Sequence, residues 1–349
     1  MYWKRMGKIL LALVALGLFI LGIKLMQMGA FVFVPFLREH FKVEVITNAL
    51  GFGWGASYML LSGSPVAAMA IAFFGAGQID EEATFAMIMG SRFGAAFVAL
   101  FIGFFYFFLY RKMIRELRIG LLALLVTFCT YLPALILGIA VLKIGIIDSL
   151  VVHQPAEFFS FFTNGPIEKI EKLVKILFPY WGWFLIGLAF LITSFKLLDL
   201  SLPSITAENY KEVKGFRQYF YHKWSMLGLG VILTMITMSV SITFSLLVPL
   251  QHRRLIQARH AIPFILGANI STFIDTLFAA FLVNRPGSAM LVLLEIVLVS
   301  IVTLFFLLVY EPFESMMLRT LNWITARPWH LMLVVAFLIL IPVILILIH

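Results

Sequence analysis

Along this chain apolar residues run in long unbroken blocks and do not alternate with polar ones. The blocks cover 9–34, 46–77, 83–110, 119–143, 177–198, 225–250, 261–283, 288–310 and 329–348. Each has about the 20 or so residues that a helix needs to cross a bilayer, or more. A β-barrel is excluded, because its strands alternate lipid-facing and lumen-facing residues. The pattern predicts an all-α polytopic membrane protein. Two blocks, 46–77 and 225–250, carry serine-rich islands in mid-course and are read as broken helices or re-entrant hairpins.

Composition sharpens this picture. Hydrophobic residues make up 62% and charged residues 12%, with a mean hydropathy of +1.05. A soluble domain is about half apolar and about a quarter charged, so a soluble enzyme, a disordered chain and a nucleic-acid-binding domain are all excluded. The lone cysteine, Cys129, has no internal disulfide partner. The net charge of +9 then reads as Lys and Arg facing anionic headgroups. With the N-terminus and its Lys4, Arg5 and Lys8 inside, sixteen Lys and Arg fall on cytoplasmic segments and seven on external ones. That bias predicts a multi-pass protein of the cell membrane with its C-terminus outside. The first apolar block continues past Met28, longer than a signal peptide's core, and reads as a retained helix.

The polar islands repeat. At a shift of 177 residues, Ser57-x4-Ser62-Gly63-Ser64 falls on Thr234-x4-Ser239-Val240-Ser241. At the same shift Gly90-Ser91-Arg92-Phe93-Gly94 falls on Gly267-Ala268-Asn269-Ile270-Ser271. Upstream, Gly22-Ile-Lys24-Leu-Met26 resembles Ser194-Phe-Lys196-Leu-Leu198 at a shift of 172. In the topology above the first copy begins inside and the second outside, which makes them inverted repeats. Interrupted helices in inverted repeats are characteristic of secondary transporters, whose sites lie at the repeat interface. Four regions follow: a first repeat at 1–110 (helix, broken Ser-containing hairpin, broken helix), a connecting span and external interfacial helix at 111–176, a second repeat at 177–283, and two C-terminal spans at 284–349. The stretch 199–224 reads as a further interfacial helix.

Unwound backbone at Ser62 and Ser64, favoured by Gly63 and Pro65, would offer oxygens to a hard cation, and the helix N-terminus beyond it would favour an anion. Ser57, Thr234, Ser239, Ser241, Ser271 and Thr272 are candidates on the same grounds. The alternative is that small residues permit close helix packing, with hydroxyls bonded to the preceding turn. Arg92 is costly within a membrane and suits phosphate or carboxylate. It contacts a ligand or pairs with Asp275, which would otherwise ligate Na⁺ or carry a proton. Glu295 reads as lying near the outer interface, and Lys24 and Lys196 as snorkelling. The histidines have no metal-ligand spacing, and no P-loop, GxSxG or dinucleotide fingerprint is present, so neither an ATP-driven pump nor an enzyme is expected.

The islands resemble the signature of the type II sodium-dependent phosphate cotransporter family, which carries two inverted copies of T-x3-QSSS, each followed by GANIGT. Leu18-Phe-Ile-Leu-Gly22-Ile-Lys24-Leu-Met26 is similar to that family's first helix, and Gly267-Ala-Asn269-Ile-Ser271-Thr272 is similar to GANIGT. The chain departs from the pattern at Leu61-Ser62-Gly63-Ser64 and Met238-Ser239-Val240-Ser241, where QSSS stands in the family, and at Arg92 and Ala95. The resemblance implies a Na⁺-coupled transporter of inorganic phosphate or a related anion, with Na⁺ at Ser239, Ser241, Asn269 and Thr272. H⁺ is the other coupling ion to consider. A transport-deficient structural partner and a carrier of a lipid-linked phosphate are the competing readings.

Overall fold

A computed structural model of the chain describes residues 2–110, 114–145, 166–201, 222–240, 242–244, 247, 256–283 and 285–348. Among them every regular element is a helix. These are α1 (Tyr2–Phe41), α2 (Ile46–Leu60), α3 (Ser64–Gly75), α4 (Glu81–Tyr110), α5 (Ile114–Ile144), α6 (Pro166–Leu177) and α7 (Tyr180–Ser201), followed by α8 (Lys223–Thr237), α9 (Ala258–Ser271), α10 (Ile274–Leu282), α11 (Ser288–Leu308), α12 (Tyr310–Ala326) and α13 (Pro328–Leu347). Among the described residues six stretches are long and apolar enough to cross a membrane: Met6–Phe41, Leu117–Ile144, Tyr180–Ser201, Ala258–Leu282, Ser288–Leu308 and Pro328–Leu347. The chain is a multi-pass membrane protein.

The block at 46–77 is interrupted. Helix α2 ends where Leu61 turns left-handed, at φ 49°. The Ser62 N–H donates to the Ser57 carbonyl at 3.2 Å, closing the helix end by a six-to-one bond. Pro65, which has no N–H to lose in a first turn, then opens α3. The second island starts the same way. Helix α8 ends at Thr237, and Met238 turns left-handed at φ 49°. Ser239 Oγ accepts the Ile242 N–H at 3.3 Å as the chain becomes helical again. Of the expected hairpin, 241, 245–246 and 248–250 lie outside the described residues, Ser241 among them, as do 202–221 of the interfacial helix expected at 199–224.

Glycines set how closely the helices approach. A Cβ at Gly53 would overlap the Met87 carbonyl of α4, and one at Gly90 would overlap the Leu50 carbonyl of α2. At the 177-residue shift, a Cβ at Gly230 would overlap the Phe264 carbonyl, and one at Gly267 the Leu227 carbonyl. Each pair therefore meets backbone to backbone at corresponding positions. The pairing of α1 with α7 is reciprocal at the 172-residue shift. Gly22 packs on Gly187, while Ser194 Oγ donates to the Ala15 carbonyl at 2.6 Å.

One expectation needs correction. The broken helix expected at the end of the first repeat is continuous: α4 runs unbroken from Glu81 to Tyr110. Gly90 and Gly94 are spent on close approach to Leu50 and Trp54 of α2, so neither releases the backbone. In the second copy the corresponding span is interrupted at Thr272–Phe273, between α9 and α10. Between the last two apolar blocks the chain forms helix α12. Its Phe313, Met317, Leu321 and Ile324 form a buried stripe at helical spacing. Arg118 of α5 holds it through Asn322 Oδ1 at 2.6 Å and Thr325 Oγ1 at 3.2 Å.

Proline-freed carbonyls are satisfied by tyrosines. Pro342 in α13 cannot donate to the Leu338 carbonyl, and Tyr58 Oη donates to it instead, at 3.0 Å. Pro263 in α9 likewise frees the Arg259 carbonyl, which Tyr310 Oη reaches at 2.8 Å. Helix α6 is short and strongly amphipathic, with Lys172–Glu168 and Lys175–Glu171 pairs one turn apart. The hydrogen bond from exposed Lys172 holds the Glu168 carboxyl below its usual range.

Candidate functional site

Arg92 lies in α4, whose helix keeps its backbone satisfied while the side chain is 2% exposed. Its Nη2 donates to Asp275 Oδ1 at 3.3 Å and to Thr276 Oγ1. The guanidinium carbon stands 4.9 Å from the centre of the Phe273 ring, a cation–π distance. The interruption between α9 and α10 brings these three partners to Arg92, because it places Asp275 in the first turn of α10. There the helix dipole favours a carboxylate. Asp275 Oδ1 also accepts the Thr276 N–H at 2.5 Å and its hydroxyl at 2.9 Å.

Beside the pair lies a buried cavity of about 10 Å³, lined by Arg92, Ala95, Thr127, Tyr131, Asn269 and Thr272, with Ala96 and Val240 completing it. Such a volume admits about one water. Its lining carries the 177-residue correspondence: Arg92 stands opposite Asn269, and Ala95 opposite Thr272. The cavity is therefore built from matching turns of α4 and the α9 end. Helix α5 closes it. Thr127 Oγ1 donates to Asn269 Oδ1 at 3.3 Å, and Tyr131 Oη donates to the Asn269 carbonyl at 3.0 Å.

Four polar groups around this point are buried without a hydrogen-bond partner among the described residues. They are Arg92 Nε, the far end of the Asn269 amide (assigned as Nδ2), Asp275 Oδ2 and both oxygens of Glu295. Buried polar groups are nearly always bonded. Orphaned donors and acceptors gathered in one place make this the candidate site.

Of the expected residues, Arg92, Asn269, Thr272 and Asp275 come together here. The others are used differently. Ser57 Oγ donates to the Gly53 carbonyl at 2.8 Å. Ser271 Oγ bonds back to the Gly267 carbonyl at 3.4 Å. Thr234 Oγ1 donates to Thr243 Oγ1 at 3.0 Å. Ser62 is at the α2–α3 break and Ser64 starts α3, and neither is among the lining residues. Ser239 caps the chain at Ile242. Of the set expected to hold Na⁺, Asn269 and Thr272 share their cavity with the Arg92 guanidinium, whose charge opposes a cation there. Sequence reasoning missed Thr127, Tyr131, Thr276 and Phe273. The first two are one helical turn apart in an apolar run, a polar pair that signals one inward face.

A larger hollow of about 250 Å³ lies where the starts of α8, α9 and α12 meet, lined by His222, Lys223, Arg259, His260, Tyr310 and Glu314 among others. Among the described residues no group of three or more His, Cys, Asp or Glu is placed to hold a metal ion. No protein family, curated protein or solved structure matches the chain.

Proposed function

We propose that this protein is a secondary active transporter of the cell membrane that moves phosphate or a related anion by alternating access. In this reading its two copies are inverted in the bilayer, with the N-terminus cytoplasmic and the C-terminus external. The anion binds at Arg92 between them. One observation carries the reading: Arg92 and Asn269, corresponding residues of the two copies, meet at one buried cavity, and each keeps a side-chain nitrogen without a partner. A guanidinium and an amide are donors suited to phosphate oxygens. The likeness of the polar islands to the sodium-phosphate cotransporters points the same way.

A cavity with room for about one water is too small for a tetrahedral oxyanion. Access therefore requires α4 and α9 to separate, first toward one side of the membrane and then toward the other. The left-handed turns at Leu61 and Met238 supply matching break points for that movement. The coupling ion is Na⁺ or H⁺.

Radiolabelled phosphate uptake into proteoliposomes, under an imposed Na⁺ or pH gradient, tests the proposal. Gradient-stimulated uptake that is lost in Arg92→Gln is the expected result. Uptake of phosphate and sulfate no faster than in protein-free vesicles would overturn it.

A further inference from the structure

Glu295, the eighth residue of α11, is 0% exposed, and neither of its carboxylate oxygens has a hydrogen-bond partner among the described residues. That helix is long and apolar enough to cross a membrane. Helices α3, α4, α5, α9, α10 and α12 pack around α11. The ionisable groups they bring near Glu295 are Arg92 from α4 and Tyr131 from α5, and Asp275 of α10 enters as the partner of Arg92. Helix α3 carries none; Arg259 and His260 of α9 and Tyr310 and Glu314 of α12 gather at the hollow beyond the other end of α11, and α12 carries Glu311 and Arg319 besides.

The two carboxyls near Arg92 are provided for very differently. Asp275 has the Arg92 guanidinium, the Thr276 N–H and hydroxyl, and the start of α10. Glu295 has no donor among the described residues. An ionised carboxylate buried without a donor is strongly disfavoured inside a membrane protein, and a proton is the smallest ligand that cancels its charge.

We propose that Glu295 is the proton-binding site of this protein and that its proton is coupled to the anion at Arg92. The inference rests on the anion-transport reading above and names its coupling ion. Arg92 carries a single positive charge already shared with Asp275. When Glu295 is ionised, its charge draws on the same guanidinium and competes with an incoming anion. When a proton from solution adds to a Glu295 oxygen, that competition ends and the anion gains Arg92. Each ligand therefore strengthens the other's binding, as linkage requires. The proton leaves Glu295 as the anion leaves Arg92, so both cross in the same direction.

The test uses the purified full-length protein and the isosteric variant Glu295→Gln. Infrared difference spectra should show a protonated carboxyl stretch in the wild type at neutral pH that disappears in Glu295→Gln. Phosphate binding, measured against pH in both proteins, shares phosphate's own titration. Beyond that shared part, wild-type affinity should fall by up to about tenfold per pH unit once Glu295 ionises, and the variant should stay flat. No protonated band in the wild type, or the same band in the variant, would overturn the proton site. A pH dependence that survives in Glu295→Gln would overturn the coupling. If neither protein binds phosphate, the anion reading fails and with it the coupling, while the infrared band still decides the proton site. Thermal unfolding of the variant separates misfolding from loss of the proton. Should Glu295→Gln unfold, loss of the same band on raising the pH of the wild type supports the assignment, and its absence at every pH refutes it.

Discussion

Leu61 and Met238, 177 residues apart, end helices α2 and α8 in the same left-handed backbone conformation, each at φ 49°. Neither is glycine, so each holds a conformation that L side chains avoid, at a cost of about 1–2 kcal/mol. Leu61→Gly, at a half-exposed position, should raise stability by about 1 kcal/mol, and Leu61→Val should lower it. Thermal unfolding in detergent checks both. If this strain serves opening of the Arg92 cavity, Leu61→Gly should also slow phosphate uptake.

The glycine contacts make a sharper test of the correspondence. Gly90→Ala and Gly267→Ala should each destabilise by about 1–3 kcal/mol, because the new methyl meets a carbonyl that cannot move aside. Gly17 has open space around its Cβ position. Gly17→Ala should be neutral or stabilising by up to about 1 kcal/mol. Equal sensitivity at all three positions would remove close approach as the reason for the glycines.

Arg92 and Asp275 should be energetically coupled. Arg92→Asn alone leaves a buried carboxylate and should cost about 3–5 kcal/mol, and Asp275→Asn alone leaves the guanidinium and should cost a similar amount. The double variant should recover much of that loss. A thermal double-mutant cycle reads the coupling, and additive single effects would show that the pair contributes nothing as a pair.

Tyr58 and Pro342 form a second coupled pair. Tyr58→Phe should cost about 1–3 kcal/mol by orphaning the Leu338 carbonyl. In a Pro342→Ala background the helix's own N–H returns to that carbonyl, and the same change should cost much less. The parallel experiment with Tyr310→Phe and Pro263→Ala should give the same pattern at Arg259.

The apolar block lengths fixed the class of protein, since a run of that length has few other ways to satisfy its backbone in lipid. Spacing also located the two break points, because Pro65 and the serine islands punctuate otherwise uniform hydrocarbon. Charge scarcity even pointed Arg92 toward Asp275, since an intramembrane cation must find one of very few anions. What sequence could not decide was which polar groups would be consumed by packing. Ser57 and Ser271 differ from Asn269 only in three dimensions: the two hydroxyls fall back on carbonyls of their own helices, while the longer amide reaches across to Thr127. Nor could it show that α5 brings Tyr131 to the Asn269 carbonyl, because the two lie on helices far apart in the chain and only tertiary packing joins them. Glu295 is the clearest case. Its position in an apolar block is plain from the sequence, but its isolation from donors among the described residues is a property of the neighbours that surround it, and those are set by the fold.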